Sequence, residues 1–298
     1  METAKTKTAF VLSGGGNRGV AQVGMLRALL ERGIVPDVII GTSVGALNGA
    51  VIAHNPTVEA IDHLESVWLN LEREQVFPGT VVSRMWNILR RDDHLVASTG
   101  LAELIAAASP AETFADLKIP LRVVTADLET GEECVLVRGP LAPSLLASSA
   151  LPGIFPPVDL HRRTLVDGGV VNLVPISHAL AGPINRVYVL DISDPISDRL
   201  IRSPLDVAMR AFAISRDQRF DLERQWVPAE VDLIVLPAPV DDRNFYDFDG
   251  AEAIIAEAYE RAKKTLTAHQ SRRPVQTSDS TPRRRRRWWS RSNRAPTR

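Results

Sequence analysis

Three short stretches hold the residues best suited to chemistry. Gly41-Thr42-Ser43-Val44-Gly45 matches G-x-S-x-G, the pattern of a nucleophile elbow when it joins a strand to a helix. Gly41 and Gly45 permit a cramped turn, and Ser43 is left at a helix N-terminus. There, free amides and the helix dipole favour developing negative charge. The plainer reading of Ser43 is an N-cap on an ordinary helix; an apolar strand before it and a helix after it favour the elbow. Gly14-Gly15-Gly16-Asn17-Arg18-Gly19 fits G-x-G-x-x-G, so a dinucleotide loop has to be weighed. That fingerprint needs an acid about 20 residues on, at the end of a second strand. Here that strand runs into Gly41-Thr42-Ser43, and Asp37 precedes it. Consecutive glycines also suit an oxyanion hole, because their amides can converge on one oxygen with no Cβ in the way. The third stretch, Asp167-Gly168-Gly169, is only a turn when taken alone. It gains meaning from the other two, since ligands of α/β sheets gather at the carboxyl ends of strands.

The elements that must position these loops can be read from periodicity. Thr8–Leu12 is a short apolar strand entering the glycine loop. An amphipathic helix follows, with Val20, Val23, Leu26, Leu29 and Leu30 at helical spacing, and it stops at Gly33. Val38–Ile40 is a second strand, uniformly apolar as in a sheet covered on both faces, and Ala46–His54 is a helix. Residues 57–107 are mostly helical, and residues 57–115 are expected to build the pocket or a lid. Further strands fall at Leu121–Ala126, Cys134–Val137, Thr164–Val166, Val187–Leu190 and Leu233–Leu236. Helices fall at Leu141–Ala150, Ile176–Leu180, 204–225 and 249–268. Strands alternating with helices predict an α/β fold with a mainly parallel sheet.

In this order, the three loops resemble the patatin-like phospholipases. A fourth block, Ala147-Ser148-Ser149-Ala150-Leu151-Pro152-Gly153-Ile154-Phe155-Pro156-Pro157, is similar to the segment preceding that family's Asp-Gly loop. Asn172 and Pro175 also fit, and the likeness spans about Ala9 to Leu180. The resemblance implies a three-layer α/β/α sandwich and a lipid acyl hydrolase working without metal or cofactor. It implies Ser43 as nucleophile and Asp167 as its only catalytic partner. Gly14, Gly15 and Gly16 would supply the oxyanion hole, with Arg18 as the loop's basic residue and Gly168 and Gly169 shaping the aspartate loop. The competing reading, a non-catalytic or nucleotide-binding α/β protein using the Gly14–Gly19 loop, stays open at this level.

A Ser-His-Asp triad would place a histidine after the acid. The histidines that follow Asp167 are His178, inside a helical pattern, and His269, at the end of another. Neither follows a strand, so a Ser-Asp dyad is the better reading. An ordinary aspartate, with a pKa of about 3.9, is a poor base toward serine. Burial that raised this value would make direct Ser-Asp contact productive.

The single cysteine, Cys134, excludes an internal disulfide framework, and the six histidines form no HExxH pattern. The N-terminus lacks the roughly 7 to 15 apolar residues of a secretory signal, and no stretch reaches the ~18 apolar residues of a membrane span. A cytoplasmic, peripherally membrane-associated protein is the expectation. The net charge of −1 hides an asymmetry: residues 271–298 sum to +9, leaving −10 on residues 1–270. We read 1–270 as the hydrolase domain and 271–298 as a disordered basic tail, rich in Pro, Ser, Thr and Arg. Arg283–Arg287 followed by Trp288-Trp289 suits an anionic lipid surface. Nucleic acid is the weaker alternative, and an arginine-rich composition, 30 Arg to 5 Lys, is the bland one. Deleting residues 271–298 is expected to weaken sedimentation with anionic vesicles at low salt while leaving turnover of a soluble ester within about threefold. Because screening shortens from ~10 Å at 0.1 M to ~3 Å at 1 M salt, full-length binding should fade over that range. Equal sedimentation of both forms at low salt would contradict the lipid role.

Overall fold

The computed structural model describes residues 6–76, 96–193, 204–240, 243 and 247–272. The chain alternates strands and helices: β1 (Thr8–Leu12), α1 (Val20–Leu30), β2 (Val38–Thr42), α2 (Val44–His54), α3 (Val58–Leu69), α4 (Arg73–Val76), α5 (Thr99–Ala108), β3 (Leu121–Asp127), β4 (Glu133–Leu136), α6 (Leu141–Ser148), β5 (Val158–Leu160), β6 (Arg163–Asp167), α7 (Ile176–Leu180), β7 (Arg186–Asp191), α8 (Pro204–Gln225), β8 (Asp232–Pro237) and α9 (Ala251–Arg272). The strands form one sheet in the order β5-β6-β3-β2-β1-β7-β8, with β4 pairing to β3 off that path. β3, β2, β1, β7 and β8 are parallel. β4, β5 and β6 add the antiparallel part.

Alternate side chains of each central strand feed opposite cores, as a two-sided sheet requires. Phe10, Leu12, Ile39, Val123, Tyr188 and Leu190 join one cluster with α1, α2, α3, α5, α6 and α9. Ala9, Val11, Ile40, Val124, Val187 and Val189 join the other, with α7 and part of α8. This is the three-layer α/β/α arrangement. Helix α1 was expected to be amphipathic, yet every residue in it except Arg27 is buried. It lies between the sheet and the outer helices, and the exception is held by Asp62 at 2.7 Å and Glu65 at 2.6 Å on α3.

Sheet register sets the height of the functional loops. Thr42 pairs with Val124 on β3, and the next β3 residue, Thr125, pairs with Asp167 on β6. Ser43 therefore leaves β2 level with Asp167, the two flanking β3. Two strand spacings put their backbones about 10 Å apart, a gap that a serine and an aspartate side chain close together. The glycine loop follows β1, which has β2 on one side and β7 on the other; this is the switch point where α/β sheets open a crevice.

Most expected elements are present with ends moved by one or two residues. The strand expected at Cys134–Val137 is Glu133–Leu136, and the one expected at Thr164–Val166 extends to Asp167. Helix α9 runs to Arg272, two residues into the expected tail; residues 273–298, with the arginine-tryptophan run, lie outside the described residues. Part of the stretch expected as pocket or lid, residues 77–95, also lies outside them. Its described helices bury Ile61, Leu64, Trp68, Leu101 and Ile105 in the main core. A Cβ added to Gly24 on α1 would collide with the Ile255 carbonyl of α9 and come within 2.7 Å of the Tyr259 nitrogen. Gly→Ala inside an exposed helix gains about 1 kcal/mol. Here Gly24→Ala should instead lose about 1–3 kcal/mol to overpacking, seen as a lower urea midpoint. An unchanged or higher midpoint would contradict this close helix contact.

Candidate active site

Ser43 occupies φ 55°, ψ −130°, a conformation that costs a non-glycine residue on the order of 1–3 kcal/mol. Neighbouring contacts hold it there. A Cβ on Gly41 would stand 2.6 Å from Ala46 Cα, and one on Gly45 would collide with the Leu12 carbonyl and stand 2.6 Å from that of Ser13. The elbow can thus fold back tightly and press α2 against the end of β1. The Ser43 N–H donates to Ser148 Oγ at 2.9 Å, and Ser148 Oγ–H donates to the Val124 carbonyl at 2.6 Å. A hydroxyl from α6 therefore sits between β2 and β3 where they part, and it fixes the backbone of the nucleophile candidate. The sequence displayed Ser148 within its fourth block; its role was visible only with the strands in place.

The Ser43 side chain is half-buried and hydrogen-bonds to Asp167, which is 4 % exposed. Burial drives the Asp167 carboxyl up to about 6, against the opposing pull of its hydrogen bonds with Ser43 and the Gly169 N–H. The Gly169 bond measures 2.7 Å to Oδ1. Gly168 fits against the Val124 carbonyl, where a Cβ would collide. The Thr42 hydroxyl donates to the Asn172 carbonyl at 2.9 Å, tying the elbow to the aspartate loop.

The glycine loop completes the constellation, with one correction. Gly14 was expected among the oxyanion donors, but its N–H donates to the Leu173 carbonyl at 3.1 Å. It serves as a spacer: a Cβ there would lie 3.1 Å from Ser43 Cβ and 2.6 Å from Leu173 Cδ1. Among the described residues, the amides of Gly15 and Gly16 meet no protein acceptor. Gly16 has φ 61°, which glycine adopts without strain. Arg18 is half-buried, and its backbone closes the turn, N–H to the Gly15 carbonyl at 3.3 Å. The dinucleotide fingerprint lacks its acid: Asp37 accepts from the Thr8 N–H at 2.7 Å, at the N-terminal ends of the strands, away from the glycine loop.

Both later histidines pair with carboxylates other than Asp167. His178 Nε2 lies 2.6 Å from Glu133, and His269 Nε2 lies 2.9 Å from Asp232. Glu133 belongs to a brace behind the aspartate loop. Burial would raise its pKa, but His178, Asn172 and Arg219 outweigh that and hold it down at about 2. Arg219 also reaches the Val171 carbonyl at 2.7 Å and Glu223 at 2.9 Å, and Glu223 accepts from the Ser177 hydroxyl at 3.0 Å. Asp127 organises its own turn, accepting from the Glu129 and Thr130 amides. Asp191 accepts from the Ser193 amide.

The family model for patatin-like phospholipases matches residues 10–180. This chain belongs to that family. Patatin-like phospholipases are generally lipid acyl hydrolases. Rat patatin-like phospholipase domain-containing protein 7 is 33 % identical over 186 residues, which are 62 % of this chain and 13 % of the relative. An uncharacterized NTE family protein of Mycobacterium bovis is 30 % identical over 175 residues, 59 % of this chain and 46 % of the relative. The chain thus spans less than half the length of these relatives. Among solved structures, VipD from Legionella pneumophila aligns with a TM-score of 0.52 at 16 % identity, over 90 % of this chain and 68 % of that one; the likeness is one of fold.

A carboxyl with a pKa of about 6 is an active base only above that pH. If it is the base, kcat/KM on a soluble ester should fall about tenfold per unit below pH ~6 and level off above pH ~7. A plateau reaching below pH 5 would contradict the assignment. The raised value also has a stability sign. The contribution is fully present below the unfolded pKa and is lost as pH rises through about 6, a change of roughly 3 kcal/mol at 1.36 kcal/mol per unit. Asp167→Asn should therefore raise Tm at pH 8 and lose that advantage near pH 4.

Proposed function

We propose that this patatin-like domain is a serine acyl hydrolase of lipid esters working through a Ser43–Asp167 dyad. The observation that carries this reading is a strained, half-buried Ser43 hydrogen-bonded to a buried Asp167 whose carboxyl is raised to about 6, beside two glycine amides that meet no acceptor among the described residues.

In the proposed course, the Asp167 carboxylate takes the Ser43 hydroxyl proton as Oγ attacks the ester carbonyl carbon. The carbonyl electron pair moves onto oxygen, where the Gly15 and Gly16 amides meet it; such donors act most strongly when already aimed at the developing charge. Collapse breaks the bond to the alcohol, which leaves with the proton from Asp167. Water then gives a proton to Asp167 as its oxygen attacks the acyl-serine carbonyl carbon; collapse breaks the bond to Ser43 Oγ, which takes that proton back from Asp167 as the fatty acid leaves. Direct contact between acid and hydroxyl replaces the imidazole of a triad. Among the described residues, no helix is long and apolar enough to cross a membrane. Access to lipid is assigned to surface contact, with residues 283–289 as the candidate anchor.

Ser43→Ala should reduce ester hydrolysis at least about 10³-fold and abolish covalent labelling by a fluorophosphonate, with an unchanged circular dichroism spectrum. Gly16→Ala should cost about 10² in kcat, the usual effect of losing one oxyanion donor. More than a tenth of wild-type turnover in Ser43→Ala would end the proposal. Tight binding of NAD or ATP in calorimetry would favour the ligand-loop alternative.

A further inference from the structure

Three side chains, Trp68, Asn48 and Gln22, form a buried polar chain beneath the glycine loop. Trp68 Nε1–H on α3 donates to Asn48 Oδ1 on α2 at 3.1 Å. Asn48 Nδ2 donates to Gln22 Oε1 on α1 and to the Gly19 carbonyl, both at 2.9 Å. Gln22 Nε2 donates to the Ser13 carbonyl at 2.9 Å and the Leu190 carbonyl at 3.2 Å. The Ser13 hydroxyl in turn accepts from the Ile192 N–H at 2.9 Å. Gln22 and Ser13 are 0 % exposed, and Asn48 is 1 % exposed.

This chain has a direction. An indole N–H can only donate, so Asn48 must turn its oxygen to Trp68 and its amide nitrogen to Gln22 and Gly19. Gln22 must then turn its oxygen to Asn48 and its nitrogen to the two carbonyls. Both hydrogens of each NH2 group find an acceptor. Inverting either amide would set donor against donor or carbonyl against carbonyl, and a buried unpaired group costs about 1–3 kcal/mol. Of the three carbonyls held, those of Ser13 and Gly19 bracket Gly14–Arg18, and Asn48 lies on the helix that Ser43 begins.

We propose that Gln22 and Asn48, oriented by Trp68, are positioning residues that clamp both ends of the oxyanion loop to the nucleophile's helix. The inference rests on the hydrolase reading for its catalytic consequence, but the clamp itself is a property of the loop. Donors aimed at a transition state lose effect with small displacements, so a slack loop should lower kcat while substrate binding holds.

The test compares wild type with Gln22→Met, Asn48→Leu, the double variant and Trp68→Phe, which keeps an aromatic ring but removes the donor that sets the direction. Backbone amide exchange over residues 13–19 is read by mass spectrometry, and kcat and KM are measured on p-nitrophenyl butyrate. Expected are exchange in this segment at least tenfold faster, kcat at least tenfold lower and KM within about twofold. The double variant should be no slower than the worse single one. A folded Trp68→Phe or Gln22→Met protein with wild-type exchange in the loop, or with kcat within threefold of wild type, would overturn the clamp. If Gln22→Met does not fold, Trp68→Phe decides. If wild type shows no Ser43-dependent turnover, the hydrolase reading fails, and the exchange rates still decide whether the pair holds the loop.

Discussion

A hydroxyl bonded to a carboxylate withdrawn from water is the contact around which this structure is arranged. Asp167 is 4 % exposed, and its burial favours the protonated form. The Ser43 backbone lies in a conformation that side chains avoid. Both features work against stability, so they persist only where the surroundings over-determine them. Here the constraints are specific. The β2-β3-β6 register sets the height, Ser148 occupies the gap where β2 and β3 part, and Thr42 bonds across to the aspartate loop.

The supports come from both cores. On one side, Glu133, Arg219 and Glu223 hold the chain that follows Asp167-Gly168-Gly169. On the other, buried amides lie beneath the glycine loop. A polar network inside an apolar core is high-stakes: complete, it fixes one geometry, and partly satisfied it destabilises. Both networks lie next to loops that the proposed mechanism requires to hold their shape. The rest of the core, from Phe10 to Leu266, is apolar packing that sets the spacing of the layers.

Much of this was legible in the sequence because local rules and global fold agreed. Ser43 and its flanking glycines were readable, as were the order of the loops and the α/β alternation, since each rests on contacts close along the chain. What escaped depends on distant partners. Gly14 carries the same glycine signal as Gly15 and Gly16, yet Leu173, far along the chain, takes its N–H. Helix α1 has helical apolar spacing, but the helices covering its outer face decide that all of it except Arg27 is buried. The hairpin of β5 and β6 was half missed, with only the second strand expected. His161 and Arg162 turn it with φ of 54° and 62°, in place of the Asn-Gly pair that usually marks such a turn.

The central claim is that one carboxylate and no imidazole attends the nucleophile. A crystal structure of the wild-type protein after reaction with a short-chain alkyl fluorophosphonate tests it most directly. The account predicts continuous density from phosphorus to Ser43 Oγ, with the non-bridging oxygen within hydrogen-bond distance of the Gly15 and Gly16 amides. Asp167 should be the only titratable side chain at the Ser43 oxygen. A histidine ring at that oxygen, or an adduct on another residue, would contradict it.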